Sequence, residues 1–417
     1  MTHAHHHHGH NADDLLPWEE YRRRILSTIE PLSPVDFPLR EAFGCVLGEE
    51  VRATRDIPAF ASSAMDGFAV RAEDIGTATQ EGAVELVVSG EVEMGRPPDV
   101  VVEPGRAVRI PTGGAVPEGA DCVVPIEDCR VEDRQVLVLR SLPAGRHVRP
   151  AGQDLRSDEI LLVAGTRLLG PQLGLLATGG YATVRVHPPA RVVVASTGDE
   201  LIEPGERAEF GQVHDANGLT LFGAVRETGA EPVVGGIVRD DPEALRKLVE
   251  MVDADVFVSS GGVSVGERDP VKAAFLEGGD VEFVRLAMQP GMPQAFGRVA
   301  GRPFFGLPGN PVSVFVSFEL FVRPAILALM GRRDLFRPEV SAVLEAEIEG
   351  LPRKTRFARV RVYQADGGFL AAPTGGQQSN LLSTVARANG LAIIPAGTEV
   401  VRSGEECRVM LIADVEG

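Results

Sequence analysis

Between residues 191 and 331 short apolar runs alternate with amphipathic stretches: RVVVAS, HDANGLTLFGAVRETG, VVGGIV, DPEALRKLVEMV, DVFVSS, DPVKAAFLEGG, PFFGL and NPVSVFVSFELFVRPAILALM. Solid β-branched runs followed by helix-period segments are the pattern of βαβ units on a parallel sheet. Three helix starts carry an Asx-Pro pair: Asp241-Pro242, Asp269-Pro270 and Asn310-Pro311. The Asx oxygen can cap free amides there while proline occupies the first turn. From about residue 37 to 150 the pattern changes to short runs broken by Gly and Pro (VELVVSG, RAVRIP, DCVVPIED, RQVLVLR), which reads as a β-rich segment. Beyond residue 336, VSAVLEAEI, FARVRVYQ, GLAIIP and CRVMLIADV alternate like the strands of a small barrel or sheet. Near the start, Leu15, Leu16, Trp18, Tyr21, Ile25 and Ile29 predict a helix capped by Asp13 or Asp14 and ending before Pro31. TRLLGPQLGLLATGG, ending at Gly180, predicts a short helix returning to that first element. The expected fold class is α/β plus β. Its parts are a His-rich tail (1–12), a mixed domain (13–54 with 153–187), a β-rich domain (55–152), an α/β domain (188–335) and a C-terminal β domain (336–417).

A chain of 417 residues is too long for one core, in keeping with several domains. The four cysteines, Cys45, Cys122, Cys129 and Cys407, form no CxxC pair, which excludes a zinc ribbon or a thioredoxin-like motif and suits a reducing compartment. Six of the nine histidines fall in MTHAHHHHGH, a flexible tail or tag that we set apart from the fold. We expect no membrane span, because no apolar run reaches the ~18 residues a bilayer needs, and no secretion signal. The expected location is the cytoplasm. A net charge of −18 argues against a nucleic-acid partner, which needs a basic face. An anionic ligand would have to be held by backbone dipoles, a few arginines and a divalent cation.

An anionic ligand is nonetheless what the loops suggest. DVFVSSGGVSVGERD runs from a strand into a glycine-rich loop, and RVVVASTGDEL and RPFFGLPGNPVSVF repeat that design. A strand ending in a Gly/Ser loop leaves several N–H groups free at one point, and a following helix adds its dipole. Such loops from one parallel sheet would cradle a phosphorylated or oxyanionic ligand. The loop of Ser259, Ser260, Gly261, Gly262 and Ser264 is neither a Walker A loop nor GxGxxG. It could also be only a tight turn. Asp199 and Glu200, side by side beyond a strand end, suit Mg²⁺ shared with phosphate oxygens; capping explains one of them. LPGNP could be a rigid turn alone, Asp66-Gly67 by itself signals a hairpin turn, and Thr112, Gly113 and Gly114 either bind an anion or turn the chain.

Taken in order, SSAMDGFAVR, PTGGAVPEGADCVV, AGQD, STGDEL, HDANG, RDDP, SSGGVSVGERD, LAMQPGMPQAFG, GLPGNPVS and GGQQSNLLSTVARANGLA resemble the MoeA family, which includes the E domain of gephyrin. The resemblance covers nearly the whole chain. It implies a molybdopterin molybdenumtransferase, which takes adenylylated molybdopterin and molybdate, releases AMP with Mg²⁺ and leaves molybdenum on the dithiolene. It implies a multidomain, elongated fold with a MogA-like α/β domain, and a homodimer with shared active sites. Further candidate partners are a MogA-like protein and molybdoenzyme chaperones. Carried over by motif, Asp66, Asp154 and Glu200 are the expected catalytic carboxylates. Thr112, Arg149, Asp240, Ser259, Ser260, Gly261, Gly262, Ser264, Asp269, Arg285, Pro308 and Pro311 are expected around the pterin nucleotide. Ser313, Arg359 and Ser379 are expected at molybdate, with Arg359 able to give a bidentate contact. Asp199, Glu200 and Asp269 are the expected Mg²⁺ ligands. Asp241 reads as a helix cap only. This chain departs from the pattern at Gln289 and Met292, where many relatives carry lysine. Arg285 and Arg298 are candidate replacements for the lost charge. Tungstate insertion, or a gephyrin-like scaffold role, are the rival readings.

Overall fold

The structure, a computed structural model, describes residues 15–263, 270–275, 281–365 and 367–415. The chain divides into two compact units: Asp36–Phe43 with Glu49–Arg185, and Met1–Val35 with Gly44–Gly48 and Val186–Gly417.

The first unit is built on a six-stranded sheet of β1 (Gly67–Val70), β2 (Val84–Glu91), β3 (Arg106–Ile110), β4 (Cys122–Pro125), β5 (Cys129–Glu132) and β6 (Gln135–Val138), in the order β4-β1-β3-β2-β6-β5. Alternation buries Val136 and Val138 on β6 and turns Gln135 outward, so one face packs with Phe68, Val70, Leu86, Ala107, Cys122 and Val124. Asp66-Gly67 is not a hairpin turn. Gly67 already pairs with Ile110 and Pro125 on either side, and a Cβ there would sit 1.9 Å from the Val124 carbonyl oxygen. Glycine is required by that close approach, which a two-residue motif cannot reveal.

The second unit carries the expected α/β region. Its sheet contains β7 (Arg191–Thr197), β8 (Glu231–Val238), β9 (Val256–Ser260), β10 (Val281–Arg285), β12 (Pro293–Val299) and β13 (Arg302–Leu307), in the order β8-β7-β9-β13-β12-β10. The four strands β8-β7-β9-β13 are parallel. The sheet is mixed, because β12 and β10 add antiparallel at one edge. A two-residue turn joins β12 to β13, with Ala300 (φ 51°) and Gly301 (φ 76°) both left-handed, the geometry that matches the twist of a hairpin. The helices Pro242–Met251, Pro270–Phe275 and Pro311–Ser317 start at the expected prolines. Asp241 caps through the Glu243 amide, while Asn310 makes no side-chain cap. The Ser379 carbonyl takes the Val312 amide instead, at 3.1 Å.

The first helix is Trp18–Leu26, shorter than expected. Leu16 is extended and bridges Leu286, its amide bonded to the Arg285 carbonyl, so tertiary pairing displaces the N-cap to Pro17. Asp13 and Asp14 lie outside the described residues. Trp18 and Tyr21 meet Phe357 and Phe321 edge to face at 5.3 and 5.0 Å.

From Pro311 to Leu329 the chain is helical for 19 residues, with a π-helical turn at Phe318–Val322. By length and composition this stretch could cross a membrane, contrary to the expectation that no run is long enough; 83% of it is buried in the protein core. Glu319, inside the π turn, accepts a two-point contact from Arg337 at 2.9 and 2.9 Å.

The C-terminal strands β14 (Glu339–Leu344), β15 (Thr355–Ala365), β16 (Gly368–Pro373), β17 (Gly390–Ile394) and β18 (Glu406–Leu411) run β15-β16-β14-β18-β17, and β17 pairs back onto β15. They form a closed barrel filled by Ala342, Leu344, Ala358, Val360, Val362, Ala392 and Val409. The short strand β11 (Met288–Gln289) extends β15 in parallel, with Gln289 opposite Arg356.

Candidate active site

β7, β9 and β13 end side by side at Thr197, Ser260 and Leu307, and the loops that follow are bonded to one another. The Gly261 amide donates to the Leu307 carbonyl at 3.0 Å, and Asn217 Nδ2 donates to the Gly309 carbonyl at 2.8 Å. Thr197 Oγ1 donates to the Ser260 carbonyl at 3.3 Å. Gly261 has φ +88°, and a Cβ there would stand 2.6 Å from the Thr197 carbonyl oxygen. Only glycine lets these loops close together. This is the crevice at the carboxyl ends of parallel strands where such folds bind ligands. Pro308 is buried in the floor and Pro311 opens the helix beyond it.

The expected hydroxyls are turned inward. Ser260 Oγ donates to Ser196 Oγ at 3.2 Å, Ser196 to Asp215 Oδ1 at 2.8 Å, and Asp215 caps the helix Ala216–Thr228 through the Gly218 amide. Ser259 is buried on the opposite face of β9. Its Oγ, like the Asn217 Oδ1, has no hydrogen-bond partner, which is costly unless a ligand or water completes it. The loop therefore offers its backbone, the Ser259 hydroxyl and the Asn217 Oδ1 acceptor to a ligand, while the Ser260 hydroxyl is bonded internally. Ser264 and Asp269 lie outside the described residues. Ser196 and Asp215 escaped the sequence reading, although HDANG contains the cap.

Asp199, Glu200 and Asp240 gather at the rim. The Asp240 amide donates to Asp199 Oδ1 at 3.2 Å, and Arg239 Nη1 binds the Asp199 carbonyl. Burial, then the charges of Asp199 and Glu200, raise the Asp240 pKa. The folded apoprotein thus holds the Asp240 proton more tightly than the unfolded chain. Its stability should fall as pH rises from the ordinary Asp value through the raised one. Asp240→Asn is expected to flatten that slope, read as Tm against pH; an unchanged slope would remove the mutual repulsion. Among the described residues no three His, Cys, Asp or Glu side chains close on one point.

On the barrel side, Arg359 is fully buried on β15. Its Nε donates to Thr384 Oγ1 at 3.1 Å, and Nη2 to the Gly376 and Gln378 carbonyls at 3.0 and 3.1 Å. The guanidinium holds the loop from Gly375 to Ser379 through these contacts. No carboxylate is among these partners, and burial, then Arg356, push its pKa down to about 10. The Ser379 carbonyl in turn meets the Val312 amide, next to the buried Ser313. Arg359, Ser379 and Ser313 are therefore brought together. Gln289 is exposed beside this loop, and Arg285 Nη2 lies 3.8 Å from Met292 Sδ. Arg298 is engaged elsewhere, with the Gly301 and Thr28 carbonyls.

In the β-rich unit, Asp66 is exposed and its Oδ1 accepts the Thr112 amide at 2.8 Å, which joins two of the expected residues. Arg149 pairs with Ser62 through the backbone, four residues before Asp66. Asp154 is exposed on a neighbouring loop, its amide bonded to the Ile57 carbonyl at 3.0 Å, with no bond to Asp66.

The geometry offers a glycine-lined crevice at the strand ends, a carboxylate rim and a buried cation behind a polar loop. Comparison with known proteins gives this combination a family. Residues 16–180 match the MoeA N-terminal region (domain I and II), 193–328 a probable molybdopterin binding domain, and 341–412 the MoeA C-terminal region (domain IV). The chain is 40% identical to molybdopterin molybdenumtransferase 2 of Mycobacterium tuberculosis, over 94% of this chain and 98% of that one. It is 32% identical to the Bacillus subtilis molybdopterin molybdenumtransferase, over 96% and 95%. A solved structure of the molybdopterin biosynthesis MoeA protein from Pyrococcus horikoshii aligns with TM-score 0.75 and 30% identity, covering 95% of this chain and all of the other. With 40% identity over nearly the full length and matches to all three regions in order, the chain belongs to the MoeA family of molybdopterin molybdenumtransferases.

Proposed function

We propose that the chain inserts molybdate into adenylylated molybdopterin, with AMP as the leaving product. The observation that carries this reading is the junction of Asn217, Gly261 and Gly309 at the carboxyl edge of the parallel sheet, with two unpartnered polar atoms beside it. Loop amides and the Ser259 hydroxyl bind the phosphates of the substrate, which a chain of net charge −18 cannot do by overall field. Asp199, Glu200 and Asp240 suit Mg²⁺: their mutual repulsion is relieved by a cation. Mg²⁺ usually keeps several waters and substrate phosphate oxygens, so it needs only one or two carboxylates from the protein. Bound there, the ion would neutralise charge developing on the leaving phosphate. Asp66 and Asp154 serve proton transfer, since loss of an oxo group as water requires delivered protons. Ser313, Ser379 and the charge of Arg359 attract the oxyanion. We take the working form to be a cytoplasmic homodimer; a single-chain mass by light scattering at micromolar protein would remove the dimer.

The test is AMP release from adenylylated molybdopterin with Mg²⁺, with and without molybdate. Release that depends on molybdate and yields active cofactor is expected. Release indifferent to molybdate but driven by tungstate would reassign the metal, and substrate bound without turnover under both oxyanions would leave only a scaffold role.

A further inference from the structure

Gln289 is uncharged, and the fold places a cation opposite it at a residue outside every motif. Arg356 stands directly opposite Gln289 in the β11–β15 pairing. Both line one cavity of about 460 Å³, whose wall includes Gly376 and Gln378, the residues whose carbonyls hold Arg359. Arg356 and Arg359 are three apart on one strand, so they leave it on opposite faces. Arg359 is sealed behind the loop, whereas Arg356 is half-buried and its side chain bonds to no other described residue. Of the two replacements expected from sequence, Arg298 is spent on carbonyls and Arg285 reaches Met292. Glu347 and Glu349 also line the cavity, but both are exposed and neither forms an ion pair with Arg356. A guanidinium that lines a cavity and pairs with neither carboxylate there is suited to an oxyanion.

We propose that Arg356 is an oxyanion-binding residue of this enzyme, supplying from β15 the positive charge that position 289 lacks. This inference rests on the molybdate-inserting reading above. Its consequence is reciprocal: the cation can come from either strand of the β11–β15 pair, provided one is present.

The experiment measures AMP release at varied molybdate for wild type, Arg356→Gln, Arg356→Lys, and Arg356→Gln combined with Gln289→Lys, with Tm followed for each. Loss of one charge-assisted contact predicts a rise of about tenfold or more in the molybdate KM for Arg356→Gln, with kcat and Tm near wild type. Arg356→Lys should retain most affinity, and adding Gln289→Lys should restore it. A KM for molybdate that does not move in Arg356→Gln, or a change in kcat alone, overturns the inference, as does failure of Gln289→Lys to restore affinity. Wild-type protein that shows no molybdate-dependent release would instead overturn the underlying reading, so the two failures are distinguishable.

Discussion

Asp66→Asn should fold as the wild type does and lose metal insertion by about 10²–10⁴-fold, the usual share of a proton-transferring group. The carboxylate is exposed and its one described role in the fold is to accept the Thr112 amide. An asparagine oxygen can accept the same bond, so the strand entry at Gly67 and the Thr112 turn should survive. What the variant loses is the ability to hold and release a proton. Turnover compared at equal Tm tests this, and substrate affinity within about twofold of wild type would separate chemistry from binding. Wild-type turnover would make Asp66 a structural acceptor only.

That Asp66 would matter came from motif order, while the reason for its neighbour Gly67 came only from the fold. The same division holds elsewhere. The βαβ alternation after Arg191 was readable because buried parallel strands and amphipathic helices impose different periods on one chain. The barrel strands were readable for the same reason, but their closure was not, since the β15–β17 pairing joins residues 30 to 38 apart, from Val360 with Gly390 to Arg356 with Ile394. The extended Leu16 defeats a helical stripe because its partner, Leu286, is remote in sequence. The two antiparallel edge strands were missed because their short alternations, VEFVR and PQAFGRV, compete with the stronger rhythm around them. At the site, Gly261 and Asn217 lie in quoted motifs. The inward turn of Ser260 and the sealing of Arg359 depend on Ser196 and on the Gly375–Ser379 loop, which no local pattern connects to them.

Glu319→Ala is expected to be the most destabilising single change, at about 3–5 kcal/mol, the cost of breaking a buried pair from one side. Glu319 is 4% exposed and holds Arg337 by both carboxylate oxygens, with Arg323 Nε at 3.8 Å and otherwise unpartnered. Among the described residues, removing it leaves Arg323 with the Leu335 carbonyl alone and Arg337 with the exposed Glu227. Glu227, 3.5 Å from Arg337, is too exposed to replace it. Denaturant unfolding of this unit should show the loss, and Glu319→Leu with Arg337→Met should recover part of it, since a matched apolar pair leaves no orphan charge. A shift below about 0.5 kcal/mol for Glu319→Ala would show that water already reaches the pair.

The closure of the C-terminal barrel also safeguards the chemistry beside it. A strand held on one side can slide by a residue and exchange its two faces. β15 is bonded to β16 and to β17, so sliding would require two ladders to break together. The parity that seals Arg359 and leaves Arg356 facing the cavity is thereby insured, and insertions in the polar loop after β16 can be tolerated without inverting which arginine meets the anion.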